Sequence, residues 1–120
     1  MEYNIIKDAN KILSRSKHVV PNPQNYKNKW HDLFGNKNPI KLELGMGRGE
    51  FIITMAKENP HLNFIGLELN ESQTATAVQK IGNQNIPNLK LICADANSII
   101  DAVNIIELNG ANSKLIIIEK

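Results

Sequence analysis

From Ile40 onward the apolar residues follow two alternating rhythms. The short runs "IKLELG", "NFIGLEL", "LKLICAD" and "KLIIIE" read as four strands. Between them the spacing becomes helical. "GEFIITMAKEN" puts Phe51, Ile52, Met55 and Ala56 on one face ahead of Pro60. "NESQTATAVQKIG" puts Ala75, Val78 and Ile81 on the core side, with Asn70 as N-cap and Gln73 three residues on. "SIIDAVNIIEL" repeats the helical pattern a third time. Strands alternating with helices of this length predict an α/β fold with a parallel sheet built from right-handed crossovers. Ahead of Ile40 the pattern is less regular. It predicts a helix near Ile5 to Leu13, an extended "VVPNPQNY" held open by two prolines, and a short helix from about Gln24 to Leu33 ending at Gly35.

At 120 residues the chain is sized for one small domain, and 42% hydrophobic with 22% charged residues is a globular composition. The only cysteine, Cys93, excludes an intrachain disulfide, and His18, His31 and His61 are too scattered to form a metal motif. No apolar run approaches the ~20 residues that cross a bilayer, and "MEYNIIKDANK" lacks a secretory core, so a cytoplasmic, membrane-free protein is expected. Charge changes the picture more. Residues 1–41 hold eight basic and three acidic groups, a net +5, whereas the rest of the chain is net −3. This divides the chain into a basic N-terminal segment, 1–39, and an α/β domain, 40–120. The segment suits a phosphate-facing arm, with a solvated polar entry segment as the alternative.

The chemistry concentrates in "LELGMGRGEF", where Gly45, Gly47 and Gly49 join the first strand to the first regular helix. Such a turn lets a ligand approach the backbone closely, and the helix behind it offers free N–H groups. The dinucleotide fingerprint wants Gly or Ala where Glu50 stands, and a carboxylate there would repel a pyrophosphate. The Walker pattern is absent as well. S-adenosylmethionine, an adenosine derivative without phosphates and with a cationic methionine end, meets these constraints. Glu68 ends the second strand 19 residues after Gly49, where a carboxylate accepts both ribose hydroxyls. Glu43, at the end of the first strand, faces the methionine ammonium; Asp95, at the end of the third, faces the adenine with the backbone of Ala96. Three ordinary solvated acidic residues beside a tight turn remain the plain alternative.

"VVPNPQNYKNKWHDLFGNKNPIKLELGMGRGEFI", with "NFIGLELNE" and "NIPNLKLICADA" at their spacing, resembles the bacterial tRNA (guanine-N(7)-)-methyltransferases from about Val19 to Ala102. The segment "YKNKWHDLFGN" is far more specific than the glycine loop. The resemblance implies a class I methyltransferase fold with strand order 3-2-1-4. It also implies S-adenosylmethionine as cofactor and tRNA as partner. By it, Glu43, Glu68 and Asp95 contact the cofactor and Gly45, Gly47 and Gly49 form its loop. Family members continue after the fourth strand into an Asn-Phe-x-Asp-Pro-Trp-Pro segment. This chain ends at "KLIIIEK", so it is expected to hold the N-terminal portion, strands 1 to 4, and the catalytic residue is left unassigned. Two other classes stay open: a non-catalytic S-adenosylmethionine- or RNA-binding fragment, and an NAD-binding oxidoreductase domain. Of the remaining candidates, Cys93 reads as a small mid-strand core residue and Trp30 as a core anchor, while His18 and His31 read as surface residues. Arg48 projects from the loop.

Overall fold

A computed structural model describes residues 7–26, 29–95 and 116–118 of the chain. The predicted third helix of the α/β region and Ala96 lie outside the described residues. The elements run α1 (Ala9–Arg15), a 3₁₀ turn (Pro23–Tyr26), α2 (Trp30–Phe34), β1 (Ile40–Leu44), α3 (Glu50–Glu58), β2 (Asn63–Glu68), α4 (Glu71–Ile81), β3 (Leu89–Cys93) and β4 (Ile116–Ile118). The four strands form one sheet in the order β3-β2-β1-β4. Every pairing is parallel, with Glu43 level with Gly66 on β2 and Ile118 on β4, and Glu68 level with Cys93 on β3. All strands therefore end at one edge, and the connections β1-α3-β2 and β2-α4-β3 leave from it.

The sheet is covered on both faces, which is why β2 is buried along all but its last residue. One face packs against α3 and α4 through Ile52, Ile53, Ala56, Phe64, Ala77 and Ile81, among others. The other packs Ile40, Leu42, Ile65, Leu67 and Ile92 against Val20 and Trp30, with Tyr26, Leu33 and Phe34 alongside. The polar-looking segment before β1 thus supplies the cover for half of the sheet. Trp30 is buried at 2% exposure, the core anchor its apolar neighbours predict, and its ring lies 6.3 Å from that of Tyr26.

Several elements depart from the expected pattern. The helix anticipated from Gln24 to Leu33 divides into the 3₁₀ turn and α2. The Lys29 N–H bonds the Tyr26 carbonyl at 2.7 Å across the break, and this tight turn brings Tyr26 and Trp30 together under the sheet. Gly35, at φ 74°, closes α2 with its N–H on the His31 carbonyl. Phe51 is 44% exposed instead of facing the core, because α3 turns Ile52, Ile53 and Ala56 inward and at ~100° per residue that leaves Phe51 on the outer side. Asn70 caps α4 as expected, its Oδ1 accepting the Gln73 N–H at 2.9 Å.

The extended "VVPNP" segment joins the sheet. His18 and Val20 exchange backbone hydrogen bonds with Leu91, at 2.8 and 2.9 Å, so Val19 pairs parallel to β3. This carries His18 inside, at 4% exposure, and corrects its expected surface placement. Its Nε2 accepts the Ile86 N–H at 3.1 Å, which puts the ring proton on Nδ1. Burial, then the nearby Lys90 and Lys17, push the imidazolium form to lower pH than usual. The unfolded chain then takes up this proton first as pH falls. Stability from His18 is complete above about pH 6.5 and is lost as pH drops through that value toward the folded pKa. Urea midpoints between pH 7.5 and 5.5 are expected to fall more for the wild type than for His18→Gln, which retains an acceptor but does not titrate. Parallel curves would remove His18 from the account.

Candidate functional site

The loop after β1 is shaped by backbone that only glycine holds without strain. Gly45, Gly47 and Gly49 have φ of 71°, 60° and 77°, all left-handed. The loop is fastened to β2 by three bonds. The N–H groups of Gly45 and Met46 donate to the Leu67 carbonyl, at 2.8 and 3.0 Å, and the Gly47 N–H donates to Glu68 Oε1 at 2.9 Å. A fourth fastening is apolar. Met46 is buried at 1% exposure, and its sulfur fills the space a side chain on Gly66 would need; a Cβ there would collide with it. The loop's one apolar side chain is therefore a peg dropped onto the sheet above the one strand residue that has no side chain. Sequence reading did not single out Met46 or Gly66. An isolated glycine inside an otherwise apolar strand marks a close approach, and that was the available signal.

The three glycines are not equivalent. A Cβ on Gly49 would sit 2.9 Å from Ala77 Cβ and 3.3 Å from Ile53 Cδ1, so this glycine serves the contact between α3 and α4. A Cβ on Gly45 or Gly47 would meet nothing within 4 Å. Those two border open space at the carboxyl edge of the sheet, the edge at which open α/β sheets bind ligands.

Glu68 stands beside that space, half-buried at the end of β2. Oε1 accepts from Gly47 and Oε2 accepts the Asn70 N–H at 3.0 Å, so both oxygens are oriented by backbone. An ionised carboxylate has about four acceptor sites, and roughly two remain. Glu43 is fully buried in β1, one residue before its end, and Asp95 is exposed two residues beyond β3. The parallel register thus brings Glu43, Glu68 and Asp95 to one edge with the glycine loop, as the strand ends predict.

Two further groups complete the surroundings. Cys93 ends β3 and is only half-buried, so it is not the mid-strand core residue expected. Its Sγ lies 3.6 Å from the Leu69 carbonyl. Burial pushes the thiol up, a hydrogen bond with Thr74 offsets part of this, and Glu71 and Glu68 add to it. Glu50 reaches away to Lys80 on α4, 3.4 Å distant, in an ion pair exposed enough to contribute about 0–1 kcal/mol. Arg48 is exposed at the loop tip.

What this arrangement can do follows from its parts. An open glycine backbone and a pre-oriented, only half-used carboxylate suit a polyhydroxylated, phosphate-free ligand. With half-buried Glu68 and exposed Asp95 at the same edge, and Glu43 buried behind them, the carboxylates suit a cation better than an anion. Those are the features of S-adenosylmethionine, and the residues present fit it.

Known proteins point the same way. A family model described as a putative methyltransferase matches residues 37–110. The tRNA (guanine-N(7)-)-methyltransferase of Bacillus subtilis is 49% identical over 83 residues, 69% of this chain and 39% of its own length. The enzyme of the same name from Streptococcus pneumoniae (strain Hungary19A-6) is 42% identical over 96 residues, 79% of this chain and 46% of its own. The chain spans about two fifths of the length of the curated relatives it matches. Among solved structures, an antibiotic-related methyltransferase superposes with a TM-score of 0.55 at 20% identity, covering 64% of this chain and 41% of that one. The antibiotic-resistance methyltransferase Kmr superposes with a TM-score of 0.50 at 15% identity, covering 57% and 37%. These two likenesses concern the fold, which is that of class I methyltransferases. With the family model matched across the glycine loop, β2, α4 and β3, the chain belongs to the methyltransferase family whose members include the bacterial tRNA (guanine-N(7)-)-methyltransferases.

Proposed function

We propose that this chain carries the S-adenosylmethionine-binding part of a tRNA (guanine-N7)-methyltransferase, with residues 40–120 forming the cofactor-binding unit and residues 1–39 a basic segment directed to tRNA. The observation that carries the reading is the joint between Gly47 and Glu68, which holds a carboxylate at the edge of the open glycine loop. In this reading Glu68 accepts the ribose hydroxyls through its remaining lone pairs. Gly45 and Gly47 admit the ligand to the backbone, Glu43 and the loop bracket the methionine end, and Asp95 with the backbone of Ala96 borders the adenine. The bound cofactor supplies an electrophilic methyl on a sulfonium. Guanine N7 has an exposed lone pair and no proton, so no general base is required, and the protein's task is orientation and electrostatic support.

The tRNA half of the proposal rests on the similarity to the named relatives and on the +5 charge of residues 1–41. Among the described residues no helix is long and apolar enough to cross a membrane. A cytoplasmic location suits a tRNA-directed enzyme and is part of the same proposal.

The test has two stages. Titration calorimetry with S-adenosylmethionine and S-adenosylhomocysteine is expected to show binding, with NAD giving none. Methyl incorporation is then compared between tRNA transcribed with guanosine and with 7-deazaguanosine, which replaces N7 by carbon. Incorporation in the first alone supports N7 transfer, and equal incorporation in both would refute it. Absence of cofactor binding would refute the whole reading.

A further inference from the structure

A cleft of about 430 Å³ opens between α1 and the C-terminal end of α4, lined by Ile12, Arg15, Lys17, His18, Ile81 and Asn83, among others. Its α4 wall begins at Val78, beside Ala77, against which Gly49 at the end of the glycine loop packs.

The cleft gathers cations. Arg15 and Lys17 are exposed on its rim. Burial and then Lys17 lower Lys90, while burial and then Lys90 and Lys17 lower His18. Among the described residues no ion pair joins Arg15, Lys17 or Lys90 to a carboxylate; the pair that is formed, Lys80 with Glu50, lies elsewhere. Two exposed cations that form no ion pair among the described residues give the cleft a positive potential, which an anion there would relieve. The residue types suit a phosphate group: an Arg guanidinium for forked hydrogen bonding, a Lys ammonium as a point charge, and His18 with its proton on Nδ1 as a neutral donor.

We propose that the α1–α4 cleft is a phosphate seat, separate from the cofactor edge, that holds a backbone phosphodiester of the bound RNA through Arg15 and Lys17. The phosphate chemistry is read from the cleft itself. The choice of RNA over a free phosphate ion rests on the function proposed above.

The sequence contains its own control. Lys7 and Lys11 are exposed cations of the same segment that do not line the cleft. Arg15→Ala/Lys17→Ala and Lys7→Ala/Lys11→Ala remove equal charge, so a seat and a diffuse basic surface predict different results. tRNA affinity is measured for both between 50 and 200 mM salt. The cleft pair is expected to flatten the slope of log affinity against log salt by about 1.5 units, at ~0.7 to 0.9 per lost phosphate contact, and the control pair by less than half of that. In parallel, the imidazole NMR signals of His18 in the wild-type chain are followed during titration with a ten-nucleotide RNA and with inorganic phosphate. Shifts with RNA alone support the phosphodiester assignment. Saturable shifts with phosphate at millimolar concentration would overturn the RNA part in favour of a small-anion seat. Equal slopes for the two pairs, with His18 signals unmoved by either titrant, would overturn the seat itself. S-adenosylmethionine titrations on the same variants are expected to match the wild type. A wild type that fails to bind the cofactor would count against the methyltransferase reading and leave the phosphate titration interpretable.

Discussion

Glu68→Ala is expected to weaken S-adenosylmethionine binding by about 10- to 150-fold, whereas Glu71→Ala, three residues away, leaves it within about twofold. The difference follows from what each carboxylate touches. Glu71 lies exposed in the first turn of α4, where its charge supports the helix by ~0.3–1 kcal/mol and nothing more. Glu68 is fixed by Gly47 and Asn70 and presents its unused lone pairs at the cofactor edge. Hydrogen bonds to a charged acceptor contribute about 1.5 to 3 kcal/mol, which at ~1.4 kcal/mol per decade gives the range stated. The alanine also frees the Gly47 N–H and so loosens the loop. Glu68→Gln separates the two contributions. Its amide oxygen still accepts from Gly47, but its NH₂ would meet the Asn70 N–H donor to donor, so an intermediate loss is expected. Calorimetric affinities that are equal for the alanine variants at 68 and 71 would remove Glu68 from the cofactor site.

The parts of this molecule that were legible in its sequence are those governed by local periodicity and strand ends. Alternating short apolar runs and helical spacing located β1, β2, α3, α4 and β3. Parallel crossovers then required Glu43, Glu68 and Asp95 to share an edge, because every strand in such a sheet points the same way. What escaped depends on contacts between distant residues. The pairing of Val19 with Leu91 joins residues 72 positions apart, and nothing in "VVPNP" specifies its partner. The burial of His18 follows from that pairing. Phe51 looked inward because a helical stripe leaves its rotation open by about one residue; in the structure Ile52, Ile53 and Ala56 take the inner side. Met46 and Gly66 each look ordinary alone; only the fold shows that the space missing from one is filled by the other.

The three glycines of the loop are expected to separate when each is replaced by alanine, stability responding most at Gly49 and ligand binding most at Gly45 and Gly47. All three carry positive φ, so each alanine meets the left-handed cost of about 1–2 kcal/mol, partly offset by a stiffer unfolded chain worth ~0.4–1 kcal/mol. At Gly49 a second cost is added. The new methyl would lie 2.9 Å from Ala77 Cβ, an atom with no rotamer by which to withdraw, and 3.3 Å from Ile53 Cδ1. Overpacking of this kind costs ~1–3 kcal/mol, so Gly49→Ala is expected to lose about 2–4 kcal/mol in urea unfolding, against ~1 kcal/mol for Gly45→Ala or Gly47→Ala. The clash can be isolated. Ala77→Gly costs up to ~1 kcal/mol by itself as a helix glycine, but combined with Gly49→Ala it restores the missing space, so the double variant is expected to be more stable than the sum of the singles by about 1–2 kcal/mol. Additive losses would show that only the backbone angle matters at Gly49. For Gly45 and Gly47 the added methyl has no protein atom within 4 Å and projects into the space assigned to the ligand. Those variants are expected to lose no more than that ~1 kcal/mol in unfolding yet bind S-adenosylmethionine at least tenfold more weakly, and normal affinity in both would place the cofactor away from this loop.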